Sequence, residues 1–233
     1  MEQKAVQPHI CAIVMAFNEA GSLESVVREI DFVLNEMQHL YELIIVNDGS
    51  LDETGAIADR LSKELSRVGV VHHEINQGLG GAYRTGFAQA RGEFVTFFPA
   101  DGQFPASIIK QFTPLMDNAD MVLGYLPNRD SSLLAKSLSR AERILYTLMF
   151  GSFPKFQGVI MFRRRLFDEL ALKSAGRGWT VLMELIIRAS RGNYRLISVP
   201  IEMRPRISGR SKVNNLPTIW SNLKQVIALR RYL

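Results

Sequence analysis

Short unbroken apolar runs alternate with amphipathic segments over the first half of this chain, and no other feature constrains its fold as much. The run from Ile10 to Phe17 carries no charged residue on either alternating position. A strand reads this way when both of its faces are covered, as in a parallel sheet flanked by helices. Leu23, Val26, Val27, Ile30 and Leu34 follow at helical spacing and predict a helix from Glu19 to Met37, with Asn18 as its cap. The pairing then repeats as strand Tyr41 to Val46, helix Asp52 to Ser66, strand Gly69 to His73, helix Gly80 to Ala90, strand Glu93 to Phe98, helix Pro105 to Met116 and strand Asp120 to Gly124. Repeated β-α units predict an α/β fold with a mostly parallel, doubly wound sheet. Ligands of such sheets sit beyond the carboxyl ends of the strands, which directs attention to the loops after Phe17, Val46, His73 and Phe98.

Beyond Gly124 the pattern changes. A basic amphipathic helix is predicted from Ser131 to Phe150, a strand from Gly158 to Phe162, helices from Leu166 to Leu172 and Trp179 to Arg191, and a strand from Tyr194 to Glu202. A polar loop, Arg204 to Asn215, leads into a last helix ending in Arg230 and Arg231. At 233 residues and 47% hydrophobic content the chain suits one sizeable core, and residues 1–233 read as a single domain. The opening MEQKAVQPH lacks the pattern of a secretory signal, and the apolar runs fall well short of the roughly 18 residues that span a bilayer. Cys11 is the only cysteine and lies inside an apolar run, which excludes an internal disulfide and suits a reducing compartment.

Charge is divided unevenly. Residues 1–128 hold 8 Lys and Arg against 17 Asp and Glu, whereas 129–233 hold 20 against 6, so a net charge of +5 conceals halves of −9 and +14. The second half is suited to anions, and nucleic acid, phosphorylated small molecules and an anionic membrane all qualify on charge alone.

The loops narrow the choice. Ala16-Phe17-Asn18-Glu19 ends the first strand and Asn47-Asp48-Gly49-Ser50-Leu51-Asp52-Glu53-Thr54 ends the second. A carboxylate beyond a strand end can accept hydrogen bonds from a nucleobase or ribose, and Gly49 lets backbone approach a ligand; the same residues also suit a plain turn and a helix cap. The third loop, Asn76 to Gly86, resembles a dinucleotide fingerprint but follows the third strand, where such a fingerprint does not belong. Its glycines, Gly78 and Gly80 among them, suit close helix packing and backbone approach to a ligand. The fourth, Pro99-Ala100-Asp101-Gly102-Gln103-Phe104, places an acid behind a buried strand, where it can serve as a turn residue or coordinate a divalent metal on a diphosphate.

In this order AFNE, VNDGSLDET, NQGLGGAYRTG, PADGQ, FQGVIMFRRR, GRGW and RPRISGRSKV resemble the inverting glycosyltransferase family 2, especially its dolichol-phosphate mannosyltransferase-like branch of polyprenyl-phosphate sugar transferases. The resemblance implies a GT-A type fold, a nucleoside-diphosphate sugar donor and Mg²⁺ or Mn²⁺, with 10–124 as the nucleotide-sugar half and 125–233 as the basic acceptor and membrane-facing half. It further implies nucleotide-sugar contacts at Ala16, Phe17, Glu19, Asp48, Gly49, Gly78 and Gly80, and a metal and diphosphate site at Asp101 and Gln103. Gln157, Trp179 and Glu184 would line the sugar or acceptor pocket, and Arg204, Arg206, Arg210, Ser211 and Lys212 would form a basic segment over the phosphates, with Arg210 and Lys212 aiding catalysis. The chain departs from the family in three places: Pro99 replaces an acid two before Asp101, Met15 replaces a proline, and the pair Pro154 and Lys155 stands where an acid is often found.

A hydroxyl acceptor would need a general base, with Glu184 or Asp101 as candidates. A phosphate acceptor needs none, because the second pKa of a phosphate monoester is about 6 and its oxygen is already anionic at neutral pH. The basic half therefore favours a polyprenyl phosphate acceptor over a soluble sugar or protein. The predicted helix from Ser131 to Phe150 and the last helix each carry an apolar stripe and a basic one, suited either to an anionic membrane or to the domain core. The expected setting is cytoplasmic, peripheral at the cytoplasmic face of a membrane, with a membrane-anchoring subunit as a further partner and no nucleic acid. A non-catalytic nucleotide-sugar-binding protein is the alternative that Pro99 keeps open.

Overall fold

The computed structural model describes residues 8–127, 147, 151, 154–208, 227–230 and 233. The elements are β1 Ile10–Ala16, α1 Leu23–Glu36, β2 Tyr41–Asn47, α2 Thr54–Glu64, β3 Val68–His72, α3 Gly78–Gln89, β4 Phe94–Pro99, α4 Ser107–Phe112, β5 Met121–Tyr125, β6 Ile160–Arg163, α5 Arg165–Glu169, α6 Thr180–Arg191 and β7 Leu196–Pro200. A 3-10 helix, Thr113–Asp117, follows α4 directly, where Pro114 lies at its start. Most of the predicted helix from Ser131 to Phe150 and most of the last helix lie outside the described residues, as do Arg210, Ser211 and Lys212.

The seven strands form one sheet in the order β3-β2-β1-β4-β6-β5-β7. β1 pairs in parallel with β2 and β4, β2 with β3, and β5 with β7. β6 runs antiparallel to both neighbours, β4 and β5. The unbroken apolar strands have the predicted cause. Ile10, Ala12 and Val14 of β1 point into one core with Val26, Val27 and Ile30 of α1 and Ile108, Ile109 and Phe112 of α4. Cys11 and Ile13 point into the other, with Tyr83 and Phe87 of α3 and Val181, Leu182 and Leu185 of α6. Side chains alternate across a strand, so a helix layer on each side makes both alternating sets apolar.

The chain enters at β1, winds outward through β2 and β3, and returns to β4 on the other side of β1. That reversal opens a crevice at the carboxyl ends of β1 and β4. Antiparallel β6 has a positional consequence: the residues before it, Pro154 to Val159, lie at the same end as that crevice. So does the segment leaving β7, because β7 is parallel to β5 and both run in the direction of β4. Near the end of the sequence Leu229 is buried against Met183 and Ile187 of α6.

Candidate active site

The crevice collects acids from two loops. β1 ends at Ala16, and Asn18 takes the left-handed conformation (φ 52°), so the chain turns before α1 and presents Glu19 at the strand end. The carbonyl of Glu19 accepts from the N–H groups of Ser22 and Leu23, which delays the helix to Leu23. The Asn18 side chain does not cap α1; its Oδ1 accepts from the N–H of Leu51, while its own N–H donates to Ser50 Oγ, tying the first two loops together. Thr54 Oγ1 accepts from the N–H of Glu19 at 2.8 Å. Burial alone would raise the Asp52 carboxyl, but hydrogen bonds from Thr54 and Ala20 outweigh it and hold the pKa below its usual value.

Asp101 follows β4 and is 6% exposed. Its Oδ1 accepts from the Gln103 N–H at 3.0 Å, and its Oδ2 lies 2.8 Å from the Arg206 guanidinium. Arg206 also reaches Glu19 Oε1 at 3.4 Å and Gln103 Oε1 at 3.5 Å. The segment carrying it is docked by main-chain bonds, Arg204 N–H to the Gln103 carbonyl at 2.7 Å and Ile207 N–H to the Asp101 carbonyl at 3.1 Å, and by an ion pair between Arg204 and Glu29 at 3.1 Å. Gly102 makes the docking possible. Its φ is +75°, and a Cβ there would come within 2.2 Å of the Ile207 side chain. Glu19, Asp101, Gln103, Arg204 and Arg206, separated by up to 187 positions, therefore meet at the switch point.

The second cluster centres on Asp48, 4% exposed at the end of β2. Its Oδ1 accepts from the Gln77 N–H at 2.8 Å and lies 2.7 Å from His73 Nδ1. Its Oδ2 accepts from the Gly78 N–H and the Asn76 amide, both at 2.9 Å. An ionised carboxylate only accepts, so His73 carries its hydrogen on Nδ1; Nε2 meets Thr85 Oγ1 at 2.8 Å. Asn76 in turn accepts from Arg177 at its carbonyl and its side-chain oxygen, at 2.8 and 2.9 Å. Gly49 lies against the Ile75–Asn76 backbone. Asp48 thus shapes the loop that opens α3, and the donors around its two oxygens come from the protein.

The chain matches the model of glycosyl transferase family 2 over residues 11–171. It belongs to that family. Among its relatives, a glycosyltransferase AglD of Haloferax volcanii is 28% identical over 94% of this chain and 36% of its own length. A dolichol-phosphate mannosyltransferase of Pyrococcus furiosus is 26% identical over 96% of this chain and 64% of its own. A polyprenol monophosphomannose synthase of Mycolicibacterium smegmatis is 27% identical over 92% and 83%. This family 2 chain thus spans about a third and under two thirds of the first two relatives. Among solved structures, glucosyl-3-phosphoglycerate synthase of Mycobacterium tuberculosis with Mn²⁺, UDP and phosphoglyceric acid superposes with a TM-score of 0.69 at 21% identity, covering 95% of this chain and 77% of that one. The likeness carries the fold, a glycosyltransferase of GT-A type.

Three residues that the resemblance places at the ligand, Gly78, Gly80 and Glu184, make close contacts within the protein itself. Gly78 and Gly80, expected to allow close helix packing and backbone approach to a ligand, show the packing: a Cβ on Gly80 would come within 1.9 Å of the Gly176 carbonyl, and one on Gly78 within 2.6 Å of that of Arg177. The GRGW segment packs on the start of α3, Gly80 N–H donates to the Arg177 carbonyl, and Arg84 donates to the carbonyls of Ser174 and Gly176. Glu184, expected to line a pocket and considered as a base, is fully buried in α6. It accepts from the N–H groups of Lys173 and Ser174, at 3.0 and 2.6 Å, and from Arg188 Nε at 2.7 Å. With its oxygens so occupied it holds the 173–179 segment and has no lone pair aimed at solvent. Glu184→Gln sets an amide N–H against one of these donors. Chemical denaturation is expected to show a loss of about 2–3 kcal/mol. Undiminished stability with lost turnover would return Glu184 to the reacting groups.

Trp179 is half-buried beside Tyr83, ring centroids 6.3 Å apart. The Tyr83 hydroxyl is buried without a hydrogen-bond partner among the described residues, and burial raises its pKa well above the usual value, so it stays a neutral phenol. Gln157 is half-buried, its N–H bonded to the Gly124 carbonyl at 2.7 Å, beside Gly158 where Phe104 of the Asp101 loop makes contact. Ala16 is buried at the strand end and Phe17 half-buried after it. His73, Arg177 and Glu29 hold this framework and stand outside the quoted loop motifs or within them without an evident role; a histidine at a strand end next to an acid-bearing loop was the available signal for the first. The arginines that close FQGVIMFRRR lie at the opposite end of the sheet. There Arg163 pairs with Glu93 and Arg165 with Asp120, around a cavity of about 460 Å³ far from the crevice.

Proposed function

We propose that the chain transfers a sugar, with inversion, from a nucleoside-diphosphate sugar to a polyprenyl phosphate at a membrane surface. The observation that carries the donor assignment is the meeting of Asp101, Gln103, Glu19 and Arg206 at the switch point between β1 and β4, where sheets of this type bind nucleotides. The names of the Pyrococcus and Mycolicibacterium relatives support the acceptor, as does the excess of 20 basic over 6 acidic residues in 129–233. Ala16, Phe17, Glu19 and Gly49 flank the crevice and form the nucleotide side in this reading, with Asp48 acting through the 76–78 loop.

Transfer with inversion needs one displacement, the acceptor oxygen entering opposite the departing diphosphate. A phosphate acceptor brings its own negative oxygen and needs no base, which agrees with the burial of Glu184. The chain's task is to hold two phosphate-bearing molecules together against their repulsion. Arg204 and Arg206 lie at the crevice for that purpose, and Arg210, Ser211 and Lys212, next along the chain, belong to the same assignment. The donor set suits a hard divalent ion. Asp101 and Gln103 offer oxygen, Pro99 offers none, and no three His, Cys, Asp or Glu side chains gather as a cage among the described residues. Mg²⁺ or Mn²⁺ would thus be held by Asp101 and Gln103 together with the diphosphate, and would neutralise charge on the leaving group.

Among the described residues no helix is long and apolar enough to cross a membrane. This reading places the reaction at a lipid surface. The test supplies radiolabelled nucleotide sugars with polyprenyl phosphate in anionic vesicles, and separately with phosphoglyceric acid. Label is expected in the lipid phase only when polyprenyl phosphate is present. Label moving to phosphoglyceric acid alone would select a soluble acceptor, the reading that the glucosyl-3-phosphoglycerate synthase likeness suggests.

A further inference from the structure

We infer that Arg206 is the resident cation of the donor site and competes with a divalent metal ion for Asp101, so that metal enters when the donor's diphosphate draws the guanidinium away. The inference rests on the donor site proposed above and adds the order in which its charges are exchanged.

Three oxygens that a hard cation would use already face one guanidinium. Arg206 lies 2.8 Å from Asp101 Oδ2, 3.4 Å from Glu19 Oε1 and 3.5 Å from Gln103 Oε1. The other Asp101 oxygen is engaged by the Gln103 N–H at 3.0 Å. Pro99 removes the second acid from this loop, so Asp101 has one negative charge to offer, and Arg206 balances it. The Arg206 side chain is 20% exposed and those of Asp101 and Glu19 are 9% and 10%, so water screens the three charges poorly. A divalent ion at Asp101 would displace the guanidinium or sit beside a like charge.

The segment is also fixed in this place. Arg204 and Ile207 donate main-chain hydrogen bonds to Gln103 and Asp101, and Arg204 pairs with Glu29, so Arg206 does not reach Asp101 as a freely swinging surface side chain. A diphosphate changes the balance. Guanidinium forms paired hydrogen bonds to phosphate oxygens, which carry more charge than one carboxylate. Arg206 can exchange Asp101 for the donor, and the freed carboxylate then accepts metal. Coupling of this kind is reciprocal: metal must tighten the donor by the factor by which the donor tightens metal.

The experiment titrates Mn²⁺ into the full chain without donor or acceptor and follows the free ion by electron paramagnetic resonance. Removing the positive charge with Arg206→Gln is expected to tighten Mn²⁺ binding at least about tenfold over wild type. Arg206→Lys retains charge and is expected to stay near wild type. Asp101→Asn combined with Arg206→Gln is expected to abolish the gain. Arg206→Met, a second neutral replacement, serves if the glutamine variant unfolds. Affinity unchanged in the neutral variants, tightening as large in Arg206→Lys, or a gain that survives Asp101→Asn would each overturn the inference. No sugar transfer enters the titration, so a failure of the proposed activity is read separately, from the labelled-sugar assay.

Discussion

Asp48→Ala is expected to lower the thermal unfolding midpoint by about 10 °C. The carboxylate is 4% exposed and receives the N–H groups of Gln77 and Gly78, the Asn76 amide and His73 Nδ1. Truncation leaves these donors facing a space without acceptors. Leaving one buried donor unsatisfied costs about 1–3 kcal/mol, and partial rescue by water brings the sum for this group to about 3–5 kcal/mol. In a chain of this length each kcal/mol shifts the midpoint by about 2–4 °C. The motif alone suggests a milder result, loss of nucleotide affinity with the fold intact, because it shows a carboxylate in a turn without showing what surrounds it. Asp48→Asn is expected to fall between, since its amide N–H opposes either Gln77 or Gly78. Nucleotide affinity should drop in both, through displacement of the 76–78 loop. A wild-type midpoint for Asp48→Ala would show that the four donors find other acceptors and that Asp48 is no structural centre.

Asp101→Asn is expected to remove most transfer activity, lowering turnover about 10²–10³-fold, the range seen when one preorganised electrostatic group is lost from an active site. The substitution keeps size and the Asp101 backbone carbonyl that accepts from Ile207, and it breaks the ion pair with Arg206. A stability loss of only about 1–2 kcal/mol should accompany it. The two variants therefore separate: Asp48→Ala acts chiefly on folding, Asp101→Asn chiefly on chemistry. Turnover measured in EDTA and with added Mg²⁺ or Mn²⁺ completes the test. Wild type is expected to lose activity in EDTA and regain it with metal. Full activity in EDTA would leave leaving-group stabilisation to Arg206 and the basic segment, and an active Asp101→Asn would remove the residue from the chemistry.

The layered α/β architecture was legible because it follows from burial. A strand covered on both faces must be apolar at every position, as Ile10 to Ala16 is, and a helix lying on that sheet must be apolar along one stripe, as Leu23, Val26, Val27 and Ile30 are. Element ends were less legible. The helix expected from Glu19 begins at Leu23 because Asn18 adopts a left-handed turn and gives its side chain to Leu51, a partner 33 residues away. The strand expected at Gly158 begins at Ile160, and its antiparallel direction depends on pairing with β4 and β5, which composition does not express.

The site divides along the same physical line. That the acids after β1, β2 and β4 would gather at one end of the sheet was decided by the sequence, since parallel topology brings all carboxyl ends to one side and the acids stand directly behind the strands. What each acid faces was decided by the tertiary structure. Asp48, Asp101 and Glu184 look alike as carboxylates in a motif, yet Asp48 is held by donors 25 to 30 residues downstream, Glu184 by Lys173, Ser174 and Arg188, and Asp101 by an arginine from the segment after the last strand. A carboxylate's role follows from the donors that reach it and the water that does not, and both are set by long-range packing, which is why three similar letters became a loop anchor, a buried brace and a candidate catalytic group.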